Sequence, residues 1–249
     1  MKQAKIILMR HGECEGGSIF RGQTDVKLTD TGMAQMQQAF AELQFPISHV
    51  FSSPLQRCQQ FSQPLTQRLT LPLMTIPALQ EIDFGVWDGQ SFDAIYQQNP
   101  AKFDAYWDNP WSADSTPDKA ESVIDFAARV ETGLMSVVDE LWRSCQQQHS
   151  CLLSIDEQQG QNVPQTAQAV DCPHALVITH GGVMRCLMGY VLKVGQSSGL
   201  FANLAIPYAA IMVLDVYWPD DVDNIDRFQL PIKDTKAAKV SFTLHWPKN

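Results

Sequence analysis

Two short apolar runs in this chain end in the same way. Ile6-Ile7-Leu8-Met9 breaks into Arg10-His11-Gly12, and Ala175-Leu176-Val177-Ile178-Thr179 breaks into His180-Gly181-Gly182. A continuous apolar run without polar alternation fits a strand buried on both faces, as in a parallel sheet covered by helices. Polar groups at the carboxyl end of such a strand open into the crevice where these sheets bind ligands. If both strands are central and parallel, both imidazoles enter one crevice. Gly12 lets the backbone turn and a ligand approach closely. His11 offers an imidazole, and Arg10 a permanently charged, planar fork suited to phosphate or carboxylate. The chemistry suggested is a histidine nucleophile aimed at a phosphoryl group that arginine holds.

Around these runs, strand signals alternate with helical periodicity. Thr29 or Asp30 can cap a helix carrying Met33, Met36, Phe40 and Leu43. Asp30-Thr31-Gly32 imitates an aspartic protease signature, but it leads into a helix and has no second copy. His49 to Ser52 reads as a strand, Leu55 to Leu69 as a helix and Leu73 to Ile76 as a short strand. A long helix is expected over Ser122 to Gln147, with Val123, Phe126, Val130, Leu134, Val138 and Leu141 at helical spacing. Cys151 to Ile155 is expected as a short strand or hairpin arm, and the Gln-rich stretch 156–172 as a surface loop. Ala209 to Tyr217 is the last long strand, and Val240 to Leu244 a candidate edge strand. This alternation predicts an α/β three-layer sandwich with a mostly parallel central sheet and helices on both faces. No compositional seam divides the chain, so residues 1–249 are expected to form a single domain. The aromatics of 91–120 (Phe92, Tyr96, Phe103, Tyr106, Trp107 and Trp111) mark a helical cap insertion or a cluster that only packs.

Composition narrows the partners. The formal net charge is −9, which argues against nucleic acid or an anionic membrane as partner and makes any arginine cluster more informative. The six cysteines include no Cys-x-x-Cys pair, so neither a zinc ligand set nor a secreted disulfide framework follows. The apolar run before Arg10 is too short for a signal-peptide core, and no run approaches a membrane span. A reducing, cytoplasmic compartment is the expectation.

Arg57, after Ser52-Ser53-Pro54-Leu55, and Glu81, before Phe84-Gly85, complete an inventory of nucleophile, cationic clamps and one carboxyl group. That inventory serves phosphoryl transfer through a phosphohistidine. With Arg10-His11-Gly12-Glu13, Leu28-Thr29-x-x-Gly32, Ser52-Ser53-Pro54-Leu55-x-Arg57, Glu81-x-x-Phe84-Gly85-x-Trp87-x-Gly89 and Thr179-His180-Gly181-Gly182, the chain resembles the histidine phosphatase (phosphoglycerate mutase-like) superfamily. The resemblance implies a catalytic set of His11, Glu81 and His180. His11 would be the phosphorylated nucleophile, and Glu81 the general acid and then base. Arg10, Arg57, His180 and Gly181 would bind phosphoryl oxygens. An asparagine that many members place against phosphate has no counterpart in Glu15-Gly16-Gly17-Ser18, and Arg21 is the candidate substitute cation.

Physical chemistry agrees with those roles. His11 must present one neutral ring nitrogen, so the other must donate, as to a backbone carbonyl. Two arginines and an imidazolium at 180 match the charge spread over the equatorial oxygens. Glu81 must carry a proton to act as an acid, and a phosphate dianion beside it favours that form. No metal or other cofactor is required, because the cationic side chains do the work of a divalent ion.

Within the superfamily, Glu81-Ile82-Asp83-Phe84-Gly85 departs from the Glu-Arg-x-Tyr-Gly of cofactor-dependent mutases and is similar to the phosphatase branch. Residues 19–28, 81–89 and 107–111 are most similar to α-ribazole-5′-phosphate phosphatases of cobalamin assembly. Asp118-Lys119-Ala120-Glu121-Ser122 departs from that group's Gly-Gly-Glu-Ser. The implied partner is a small-molecule phosphomonoester. Rival readings are a phosphoglycerate mutase or other phosphatase of the same family, and a catalytically silent module that grips phosphorylated ligands. A cysteine phosphatase needs five residues between Cys and Arg, whereas Cys14 and Arg21 are separated by six.

Overall fold

The computed structural model describes residues 2–156, 172–218 and 240–245. Its centre is a six-stranded sheet in the order β3-β2-β4-β1-β5-β6. β1 (Lys2–Arg10), β2 (His49–Ser52), β3 (Leu73–Thr75) and β4 (His174–Thr179) run parallel. β5 (Ile211–Trp218) and β6 (Ser241–His245) close one side antiparallel. β1 outlasts its apolar run because Lys2 to Met9 pair residue by residue with β5. Both strands singled out by sequence are central neighbours, registered Ile6 to Ala175 and Arg10 to Thr179.

Strand side chains alternate between faces, and the helices divide accordingly. Ile6 and Leu8 join a core with α5 (Val123–Asp156) and α6 (Gly181–Leu192). Ile7 and Met9 join another with α1 (Asp30–Ala41) and α2 (Gln56–Leu69). The result is the expected three-layer sandwich. Thr29 caps α1, its hydroxyl accepting from the Gly32 amide at 2.9 Å.

Cys151 to Ile155 form no strand: the backbone there is the end of α5. A short apolar run does not distinguish strand from helix. Once a helix is nucleated each further residue adds a hydrogen bond, and no glycine or proline interrupts residues 134–156. The expected surface loop lies, over residues 157–171, outside the described residues.

The segment expected as a cap holds α3 (Phe92–Gln98) and α4 (Pro100–Asp108). Its aromatic rings mostly pack on each other. Phe20, Trp87, Ile95 and Tyr106 form a closed core flanked by Phe84, Phe92, Phe103 and Trp107, with the Phe20 ring 4.4 Å from Phe92. Trp111 instead packs edge-on against Phe201 of α7 (Ser198–Asn203), at 5.9 Å. Among the described residues no helix is long and apolar enough to cross a membrane.

Candidate active site

β1 and β4 end side by side, so His11 and His180 become neighbours, with ring centroids 5.3 Å apart. The His11 amide donates to the Thr179 carbonyl at 2.9 Å, tying the two junctions together. Both imidazoles are buried.

His11 Nδ1 lies 2.8 Å from the Gly12 carbonyl, which can only accept, so Nδ1 carries the proton and Nε2 keeps its lone pair. Burial, then the charges of Arg57 and Arg10, hold its pKa well below the usual imidazole range. A neutral histidine with one free nitrogen is the form a nucleophile needs. The Cys14 thiol sits 3.3 Å from Nδ1, and burial pushes the thiol up, away from thiolate.

His180 differs from expectation. Its Nδ1 accepts from Arg57 Nε at 3.3 Å, and its Nε2 faces the Ser53 hydroxyl at 2.7 Å. Because a guanidinium always donates, the imidazole proton resides on Nε2. Burial and the adjacent Arg57 lower the His180 pKa well below its ordinary value. An imidazolium therefore gives way to a neutral ring held at both nitrogens, which meets a ligand oxygen through Nε2 only by exchanging Ser53.

Arg57 is fully buried at the start of α2. Besides His180 it donates to the carbonyls of Thr24 at 2.9 Å, Gly22 at 2.8 Å and Arg21 at 3.3 Å. One N–H of its five remains on Nη1, so most of the fork fixes the 21–24 loop and His180. Asp88 grips that loop from beyond, accepting from the amides of Gln23 at 2.6 Å and Thr24 at 2.9 Å.

Arg10 leaves more of its fork available. Nη1 donates to the Ile206 carbonyl, the Tyr208 ring lies 4.4 Å from the guanidinium carbon, and Nε is buried without a partner. Arg21 folds back on its own loop instead, donating to Gly17 at 2.5 Å and Glu15 at 3.0 Å. Its charge still bears on His11.

The Glu81 carboxylate meets the first turn of α6, where the Gly182 amide donates to Oε2 at 3.0 Å and the Ile82 amide to Oε1 at 3.1 Å. Arg129 braces the backbone that carries it, reaching the carbonyls of Ala78 at 2.9 Å and Gln80 at 3.1 Å. Glu121, within the departure from the resembling group's motif, holds Arg129 in a 2.7 Å ion pair. Gln23 Nε2 adds a 2.7 Å bond to the Glu81 carbonyl. Gly181 lies between two cations: a Cβ there would be 3.4 Å from Arg10 Nε and 3.7 Å from Arg185 Nη1.

His11, Arg10, Arg57, His180, Gly181 and Glu81 are thus gathered into one cluster at the ends of β1 and β4, with the charge of Arg21 bearing on it. Ser53, Gln23, Asp88, Arg129, Arg185 and Tyr208 also build it, and sequence reading passed over them. Two of them carried a readable signal: Ser53 stands inside the Ser52-Ser53-Pro54-Leu55 motif, and Arg185 lies one helical turn after Gly181. Among the described residues no group of three or more His, Cys, Asp or Glu side chains could hold a metal ion.

A fold of this topology, with paired histidines at neighbouring strand ends and guanidinium groups around them, defines a class. The chain belongs to the histidine phosphatase superfamily (branch 1), which it matches over residues 6–221. It is 28% identical over 195 residues to the probable phosphoglycerate mutase GpmB of Proteus mirabilis, covering 76% of this chain and 74% of that protein. It is also 28% identical over 130 residues to the adenosylcobalamin/alpha-ribazole phosphatase of Escherichia coli, covering 51% of this chain and 63% of that protein. The fold matches mycobacterial glucosyl-3-phosphoglycerate phosphatase with a TM-score of 0.65 at 24% identity, over 87% of this chain and 92% of that one.

Proposed function

We propose that the protein hydrolyses small-molecule phosphomonoesters through a phosphohistidine on His11. The observation carrying this reading is the neutral His11, its Nδ1 bound to Gly12, its ring in the field of Arg57 and Arg10 and beside His180. Nε2 attacks phosphorus, the bond to the leaving oxygen breaks, and protonated Glu81 gives that oxygen its proton. Glu81 then takes a proton from the water that attacks phosphohistidine, releasing inorganic phosphate and restoring His11. Arg10 Nε and the remaining Arg57 N–H meet the equatorial oxygens, where fixed donors stabilise developing charge without reorganising. His180 borders the phosphoryl group and trades its Ser53 contact for an oxygen when the dianion enters.

For the physiological substrate we favour α-ribazole 5′-phosphate, hydrolysed to α-ribazole. The relatives bearing that activity in their names support this choice, as does a cavity of about 170 Å³ lined by Trp111, Leu200, Phe201, Tyr190 and Arg185. A flat base stacks on such aromatic walls. The cap rings around Phe20 lie mostly against one another, so Trp111, with Phe201, takes the role expected of the cap. One observation favours a second reading, a phosphoglycerate mutase or a phosphatase for phosphorylated acids. Arg185 borders both the cavity and Arg10, and it forms no ion pair among the described residues, which suits a substrate carboxylate.

The test is a single turnover with radiolabelled phosphomonoesters, including α-ribazole 5′-phosphate and 3-phosphoglycerate. Wild type should trap acid-labile, base-stable label, and His11→Ala should trap none while unfolding as cooperatively as wild type. Turnover by His11→Ala would exclude the nucleophile. Isomerised phosphoglycerate without phosphate release would favour the mutase.

A further inference from the structure

The segment Ile206-Pro207-Tyr208-Ala209-Ala210, just before β5, is fastened to the strand end that carries Arg10 and His11. The Ala210 amide donates to the Pro207 carbonyl at 3.2 Å, closing a turn with Tyr208 and Ala209 at its centre. Ala209 takes a φ of +56°, the left-handed region that a residue with a Cβ adopts only under constraint. The constraint is visible: its amide donates to the His11 carbonyl at 3.2 Å, and the Arg10 amide donates to Ala210 at 3.0 Å. Strained backbone of this kind persists where the surrounding structure over-determines it, often at functional sites.

The turn aims the Tyr208 ring at the Arg10 guanidinium, 4.4 Å away, with the His11 ring 6.0 Å off at 45°. The same segment accepts from Arg10 Nη1 through the Ile206 carbonyl. Arg10 is therefore held at its backbone, at one nitrogen and over the face of the Tyr208 ring. Nε stays buried and unpartnered beside Gly181.

We infer that Tyr208 is a positioning residue, whose ring face locks the Arg10 fork in the orientation that receives phosphoryl oxygens. The inference rests on the phosphoryl-binding role of Arg10 in the reading above. An arginine carries many rotamers, and each one lost on binding weakens the complex. A ring face stacked on the guanidinium removes that loss beforehand, because the cation is attracted to the ring quadrupole. The face acts, so phenylalanine should serve as well as tyrosine, whereas an aliphatic side chain of similar size should not.

The experiment measures inhibition by orthovanadate, and kcat and KM for p-nitrophenyl phosphate, in wild type, Tyr208→Phe, Tyr208→Leu, Tyr208→Met and Arg10→Ala. Thermal unfolding checks each variant, and Met and Leu provide two aliphatic replacements. Tyr208→Phe should stay within about twofold of wild type, and the aliphatic variants should bind orthovanadate about tenfold more weakly. In an Arg10→Ala background Tyr208→Leu should have no further effect, as residues acting through one another are non-additive. Equal losses in Phe and Leu variants would make the hydroxyl the contact and overturn the inference. So would wild-type affinity in the aliphatic variants, or additivity with Arg10→Ala. If Arg10→Ala itself leaves orthovanadate binding unchanged, the role given to Arg10 fails. If it weakens binding while Tyr208→Leu does not, only the inference about Tyr208 fails.

Discussion

Glu81 and Gly182 share one small space. The Gly182 amide donates to the Glu81 carboxylate at 3.0 Å, and a Cβ on residue 182 would stand 2.2 Å from Oε1. The glycine is needed there for its missing side chain. Gly182→Ala should therefore displace the carboxylate without harming α6, since alanine is the better helix former. Turnover of alkyl phosphates should fall by at least about tenfold, a partial loss of the 10²–10⁴-fold commonly supplied by general acid catalysis. Steady-state rates with thermal unfolding as a control check this; full activity would separate catalysis from the placement of Glu81.

Glu81→Gln tests the acid itself. An alkyl leaving group needs the proton, whereas p-nitrophenolate departs with little help. Single-turnover phosphorylation of His11 should slow by about 10²–10⁴-fold for the alkyl ester and far less for p-nitrophenyl phosphate. Equal slowing of both esters would assign Glu81 to positioning, and Asp83 would be the next carboxylate to test.

The two buried histidines predict a pH dependence of stability. Both hold folded pKa values below the ordinary imidazole value, so in the acid range the unfolded chain binds protons that the native state refuses. Stability is therefore complete above about pH 6.5 and declines as pH falls below it, by up to about 1.4 kcal/mol per pH unit for each histidine. His49, also lowered by burial, acts in the same sense, while Glu131 and Asp139, raised by burial, oppose it. The informative measurement is thus the difference between wild type and His11→Asn in denaturant unfolding from pH 7.5 to 5. The variant should lose part of the slope. Parallel curves would mean that His11 takes up its proton in the native state.

Excess EDTA should leave activity unchanged, because guanidinium groups from Arg10 and Arg57 supply the positive charge that phosphoryl oxygens require. Assays with and without chelator, followed by addition of magnesium or zinc, decide this. A loss that metal restores would overturn a mechanism built on arginine and histidine.

Much of the site was legible because its residues sit at strand ends. A buried parallel strand must be apolar throughout, so the first polar residues beyond it stand out, as Arg10-His11 and His180 do. Arg57 and Glu81 became legible through the motifs around them and their order along the chain. The C-terminal end of α5 was not legible, since Cys151 to Ile155 satisfies either period locally. Nor was the fate of the cap aromatics. Whether rings face a substrate or one another depends on what approaches them, and Phe20, from a distant loop, fills the space they enclose.

From the chain alone came the alternation of most strands and helices, the paired strand ends of β1 and β4, and the polar residues that follow them. Those features follow from periodicity and local backbone chemistry. Tertiary structure alone decided how the groups are used. Arg57 spends most of its donors on the 21–24 loop, His180 is held neutral between Arg57 and Ser53, and Arg21 turns back on Glu15 and Gly17. Hydrogen-bond direction, burial and charge at a site are set by neighbours far apart in the chain, which no local pattern records. Tyr208 shows this most plainly: it reaches Arg10 only because the turn at Pro207–Ala210 is bolted to the backbone of β1 and His11.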